Sequence, residues 1–181
     1  MGMHRIWHGQ YGWTQNNTIG MTPQQNSWMD NWITFWRDNR LGFQLDLAAR
    51  HGAPGALLRK GEHLMSELAV FFSADQPKPS LLHGDLWGGN WAADPQGHPV
   101  VFDPAVYYGD RETDLAMTEL FGGFSDDFYA AYREIYPTDE GYATRKTLYN
   151  LYHVLNHFNL FDGGYAAQAE RMMDILLSET S

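Results

Sequence analysis

Apolar residues recur at helical spacing in two long blocks and contract to short runs between them. Trp28, Trp32, Phe35 and Trp36 form one stripe, which predicts a helix entered through Ser27 or Asn26 as cap. A second helix fits Gln44 to Arg50, starting as early as Leu41, and Gly52, Pro54 and Gly55 break it. A third runs from Gly61 to Phe72 with Leu64, Leu68 and Phe71–Phe72 inward; Pro77 and Pro79 close it. In the middle of the chain, Leu81-Leu82, Asn90–Ala93 and Val100–Phe102 read as short strands, the last two joined by the turn Asp94-Pro95-Gln96-Gly97. From Thr113 the pattern is helical again over 113–121, 125–135, 141–161 and 164–177, punctuated by Gly122-Gly123, Pro137 and Gly163-Gly164. Residues 9–27 are polar and turn-rich, with two short extended pieces around an Asn-rich turn. The expectation is an α+β chain, mostly α, in one domain over 1–181: a loop-rich segment 1–27, helices in 28–74, a small β insert at 80–104 and helices in 113–178.

Composition narrows the function classes. The length of 181 residues is that of one domain, and 44% apolar with 15% aromatic residues is enough to bury a core. The absence of cysteine excludes disulfides, thiolate metal sites and cysteine nucleophiles. Acids outnumber bases 22 to 12, which argues against a nucleic-acid partner, since affinity for phosphate backbones comes from clustered Lys and Arg. No apolar run approaches the ~20 residues that cross a bilayer, and the start, Met1-Gly2-Met3-His4-Arg5, is not a signal peptide. No membrane partner and a cytoplasmic location are expected.

The chemistry concentrates in the β insert. His83-Gly84-Asp85-Leu86-Trp87-Gly88-Gly89-Asn90 has the form H-x-D-x-x-x-x-N between two strands, and the next strand delivers Asp103 thirteen residues after Asn90. Phosphoryl transfer to an alcohol needs a carboxylate to orient the hydroxyl and accept its proton, for which Asp85 fits. It also needs an amide oxygen and a second carboxylate as hard ligands for Mg²⁺, for which Asn90 and Asp103 fit. Each residue alone reads as a turn residue; the ordered set is far more specific. His153 and His157 lie about 40° apart on a helical wheel, and with no third ligand in view they read as a polar helix face, with the substrate cleft as one side for it to face, not a metal site. The Trp28/Trp32/Trp36 stripe reads as core packing.

The segment "LLHGDLWGGN" at 81–90, followed by "VVFDPAVYYGDRETDLAMTELFGGF" at 100–124, closely resembles the fructosamine kinase (ketosamine 3-kinase) family, relatives of the aminoglycoside and choline kinases within the protein-kinase-like fold. The resemblance continues in "TPQQNSWMDNWITFWRDNRLGFQL" (22–45) and "LYNLYHVLNHFNLFDGGY" (148–165). It implies Asp85 as catalytic base, Asn90 and Asp103 as ligands of Mg²⁺ and ATP, His83 as a brace of the loop, and Asp114 as a buried acceptor of backbone N–H groups from it. Trp87, Tyr107 and Asp110 are expected to contact the acceptor, with Tyr108, Arg111 and Glu112 in the same segment; the alternatives are packing of the loop for Trp87 and a salt-bridged surface turn for 107–112. The implied reaction transfers the γ-phosphoryl of ATP to the C3 hydroxyl of a ketoamine, a deglycation repair. The rival readings are a kinase for an aminoglycoside, choline or another amino alcohol, and a non-catalytic ligand-binding lobe.

The resemblance starts inside the large C-terminal lobe. Lys60, Lys78 and Lys146 are the only lysines, none on a strand ahead of the catalytic loop, and Gly9, Gly12 and Gly20 are too scattered for a phosphate loop. The expectation is a large lobe without its small β-lobe: an excised piece, a proteolysed product or a shortened gene. Weak ATP binding and little turnover follow, with a homodimer through the face left bare.

Overall fold

The computed structural model describes residues 2–72 and 76–180. The ends of the expected domain, 1 and 181, and the end of the expected 28–74 helical stretch, 73–74, lie outside the described residues. The architecture is mostly helical α+β, with three two-stranded antiparallel sheets among the described residues.

The first helical run is continuous but not uniform. Asn31, not Ser27 or Asn26, caps α1 (Trp32–Trp36), its side chain accepting the Thr34 N–H at 2.9 Å. A π-helical stretch, Arg37–Gly42, leads directly into α2 (Phe43–Arg50). Trp28 therefore falls outside the helix and stacks on the His8 ring at 4.3 Å, while Trp32, Phe35 and Trp36 are fully buried. Helix α3 (Gly55–Glu67) begins six residues earlier than the apolar spacing suggests. Pro54 supplies the turn into it, so the Gly-Pro-Gly cluster that ends α2 also starts α3. A 3₁₀ turn, Leu68–Phe71, completes the third helical segment.

The long α6 (Tyr142–Phe161) is the axis of the fold. It packs against α2, against α4 (Glu112–Leu120) and against α7 (Tyr165–Ser178), and Leu148, Leu151, Tyr152 and Leu155 are buried along it. Helix α5 (Asp126–Ile135) is capped by Ser125, whose side chain accepts the Phe128 N–H at 3.3 Å.

The strands pair across long separations. A hairpin at the N-terminal side joins β1 (Asn17–Ile19) to β2 (Thr22–Gln24). β3 (Ser80–Leu82) pairs not with the next strand but with β6 (Tyr107–Gly109), Leu82 facing Tyr107. Between them β4 (Trp91–Ala93) and β5 (Pro99–Val101) form an outlying hairpin with both strands exposed. The β3–β6 pair anchors the base of the 83–90 loop in the core, and the β4–β5 hairpin carries its far end outward.

Candidate active site

Leu82 is the last core residue before the loop, and the backbone then turns sharply through Gly84, whose φ is +82°. A Cβ there would also run into the carbonyl of Ala105, so two segments of the site approach as closely as only glycine permits. Asp114, in the first turn of α4, receives the loop: Oδ2 accepts the His83 N–H and Oδ1 the Gly84 N–H, both at 2.8 Å. His4 donates from Nε2 to Oδ2 at 3.1 Å, and its Nδ1 meets the Tyr132 hydroxyl at 2.9 Å. Burial disfavours the Asp114 charge, but the hydrogen bond and charge of His4 and the two loop N–H groups outweigh it, holding the carboxyl below its usual range.

His83 lies on the loop's structural side. Its Nε2–H donates to the Phe102 carbonyl at 2.9 Å, which leaves Nδ1 to accept the Asp85 N–H at 3.3 Å. Asn90 closes the loop: its Nδ2 donates to the Asp85 carbonyl at 2.8 Å and to Asp85 Oδ2 at 3.2 Å. The amide is thereby oriented, and among the described residues no hydrogen bond uses its Oδ1. The Asp85 carboxyl is raised above the ordinary value, first by burial; His83 and the Asn90 hydrogen bond pull it down, and Asp103 pushes it up. Asp103 itself holds a left-handed φ of 56° and is exposed.

Asp85, Trp87, Asn90 and Asp103 line one open cleft of about 450 Å³. Its opposite wall comes from α6, with His153, Asn156 and His157, and from Ile19-Gly20 at the tip of the β1–β2 hairpin. His157 donates Nδ1–H to the His153 carbonyl at 2.7 Å, leaving Nε2 as an acceptor. The rings of Phe121, Tyr165 and Phe161 stand around it, 5.0, 5.2 and 5.7 Å away. His153 is pushed down to about 3 by burial and by His157 beside it, so it is neutral at ordinary pH. The polar helix face that the sequence offers toward a substrate cleft thus lines the cleft, and α6 crossing the loop is what places it there.

Two expected acceptor contacts are not brought to the cleft. Tyr107 is buried on β6 with the Arg40 guanidinium 4.0 Å over its ring. Asp110 is buried too, accepting the Tyr149 O–H at 2.6 Å and the Glu112 N–H at 3.0 Å. Strand β6, which the sequence does not announce, explains both: pairing with β3 turns Tyr107 into the core and leaves Asp110 just ahead of α4. Glu112 forms a buried pair with Arg145 at 2.7 Å, and Arg111 caps the Pro137 carbonyl at 2.8 Å.

Asn90 Oδ1 and the Asp103 carboxylate are a fitting donor set for Mg²⁺, an oxygen-seeking ion that takes one or two protein ligands and fills its octahedron with water and phosphate oxygens. No lysine or arginine is among the residues lining the cleft. Lys60 pairs with Asp174, Lys146 with Glu119, and Lys78 sits over the Trp7 ring. No helix among the described residues is long and apolar enough to cross a membrane.

The family model for fructosamine kinase matches residues 2–179. A probable ketoamine kinase of Synechocystis sp. is 52% identical over 168 residues, spanning 91% of this chain and 55% of that protein. The chloroplastic protein-ribulosamine 3-kinase of Oryza sativa is 44% identical over 164 residues, spanning 91% of this chain and 48% of that protein. The crystal structure of a putative fructosamine-3-kinase from Thermobifida fusca superimposes with a TM-score of 0.89 at 33% identity, covering 97% of this chain and 61% of that one. One from Haemophilus somnus gives 0.85, also at 33% identity, covering 97% and 59%. The chain thus spans about half the length of the curated relatives it matches. It belongs to the fructosamine kinase family.

Proposed function

We propose that this chain supplies the acceptor-side catalytic half of an ATP-dependent kinase that phosphorylates the C3 hydroxyl of a ketoamine sugar. The observation that carries the reading is the convergence of Asp85, Asn90 and Asp103 on one cleft, with the Asn90 amide bonded to the Asp85 carboxylate. Asp85 accepts the hydroxyl proton as the oxygen attacks the γ-phosphorus, and the leaving bond runs to the β-phosphate oxygen. Asn90 and Asp103 hold Mg²⁺, which when bound neutralises the phosphate charge. Trp87, edge-on to Phe121 at 6.3 Å, offers an apolar wall for the sugar.

The opposite wall favours a hydroxyl-rich acceptor over a polycation. It presents His153, Asn156 and His157, and among the described residues the only carboxylates lining the cleft are Asp85 and Asp103. An aminoglycoside or choline would seek further acidic or enclosing groups there. Among the described residues no lysine or arginine lines the cleft to grip phosphates, so little turnover by this chain alone is part of the proposal. The test is a phosphotransfer assay on fructosyl-lysine, ribosyl-lysine, kanamycin and choline. It uses the chain alone and the chain joined to the part of the Synechocystis relative that it does not match. Ketoamine-selective transfer by the joined protein alone is expected. Failure on every ketoamine would end this reading, and strong turnover by the lone chain would end its second part.

A further inference from the structure

Asp103 keeps a left-handed backbone that a non-glycine residue holds only where its surroundings over-determine it. Upstream, Phe102 is fixed by its own N–H to the Asn90 carbonyl at 3.1 Å and by His83 Nε2 on its carbonyl at 2.9 Å. Downstream, Pro104 has no N–H to give, so the next fixed point is Ala105, whose N–H reaches the His83 carbonyl at 2.8 Å. The remaining bonds come from far away in the sequence. Gln24 Nε2 donates to the Ala105 carbonyl at 3.0 Å, and Asn17 Nδ2 to the Val106 carbonyl at 2.8 Å.

The hairpin bearing these two amides is itself firmly seated. Gln24 is 1% exposed, and its Oε1 accepts the Tyr152 O–H at 2.9 Å. Asn17 Oδ1 accepts from both Gln24 and Asn26 at 2.9 Å, and Asn26 Oδ1 accepts from Arg40 Nη2 at 2.9 Å. Arg40 is fully buried. The turn of the same hairpin, Ile19-Gly20, lines the acceptor cleft.

We propose that the β1–β2 hairpin is a bracket for Asp103, in which Gln24 and Asn17 are positioning residues that pin the backbone behind its carboxylate and so set its hold on the metal. The proposal rests on the reading of Asp103 as a metal ligand. One rigid hairpin then aligns the acceptor wall and the metal carboxylate together.

The test is amide-resolved NMR on the full chain with Mn²⁺ alone as the probe. Gln24→Met keeps the length and loses the donor; Asn17→Asp is the milder variant, keeping the acceptor and losing the donor; Thr18→Ala, exposed on the same strand, is the control. In the native chain Mn²⁺ is expected to broaden the amides around Asn90 and Asp103 together. Gln24→Met should raise the Mn²⁺ concentration needed at Asp103 about 10-fold, and Ala105 N–H exchange should quicken by a similar factor. Asn17→Asp should move both in the same direction by less, and Thr18→Ala should move neither. A purely structural role would lower the melting point and leave the Asp103 titration unchanged; unchanged Asp103 titration and Ala105 exchange in both variants overturns the bracket. Absence of broadening in the native chain counts against Asp103 as a ligand, while Ala105 exchange still decides whether Gln24 holds the segment.

Discussion

Asn90 is tied to Asp85 twice through one nitrogen, at 2.8 Å to the backbone carbonyl and 3.2 Å to the carboxylate. The proposed metal ligand therefore also tunes the proposed base. Burial raises the Asp85 carboxyl and the Asn90 hydrogen bond lowers it. A base acts when ionised, so the rate rises with pH through its pKa, and the acid limb of kcat/KM should lie above the ordinary value of 3.8. Asn90→Ala removes the lowering contact and should shift that limb further upward, alongside a weaker Mg²⁺ dependence. A pH–rate profile of the completed enzyme checks both; a downward or absent shift contradicts the coupling.

Asp85→Asn should cut turnover by about 10²–10⁴-fold with the fold intact. Because burial disfavours the ionised carboxyl in the folded state, its loss should leave the melting temperature equal or slightly higher. Activity and thermal melts measured on one preparation test this pair of outcomes.

Asp114 has the opposite balance. Its carboxyl is held below the usual 3.8 by His4 and two loop N–H groups despite burial. A depressed folded pKa contributes stability that is present above 3.8 and lost as pH falls through the folded value. Asp114→Asn should thus cost about 1–3 kcal/mol at pH 7, and the gap to the native chain should narrow below pH 3.8. Urea unfolding at neutral and acid pH measures it.

The proposed catalytic loop is legible as a unit in the sequence because it is local: Asp85 and Asn90 share one turn, and the Asp94–Gly97 turn announces the β4–β5 hairpin that returns Asp103. What escaped depends on distant partners. Tyr107 to Gly109 is a three-residue strand defined only by its pairing with Ser80 to Leu82, and without it Tyr107 and Asp110 read as pocket residues. Trp28 fits a helical stripe by spacing, but Asn31 supplies the cap and cuts it off. Residues 9–27 hide their role most: Asn17 and Asn26 look like turn formers, and nothing marks Gln24, until Arg40, Ala105 and Val106 are seen against them.

Gly84→Ala should be among the most damaging small substitutions in the chain. It strains a φ of +82° and drives a methyl into the Ala105 carbonyl. A loss of about 2–4 kcal/mol is expected, visible as a lowered urea midpoint. Gly88→Ala, with nothing within 4 Å of the added carbon, should change the midpoint far less.

The most direct measurement is phosphorus NMR of fructosyl-lysine incubated with Mg²⁺–ATP and the completed enzyme, beside its Asp85→Asn and Asp103→Asn variants. A phosphate ester coupled to the C3 proton, formed by the native protein and lost in both variants, is the expected result. An ester on another hydroxyl, no ester at all, or equal product from the Asp85 variant would contradict the assignment.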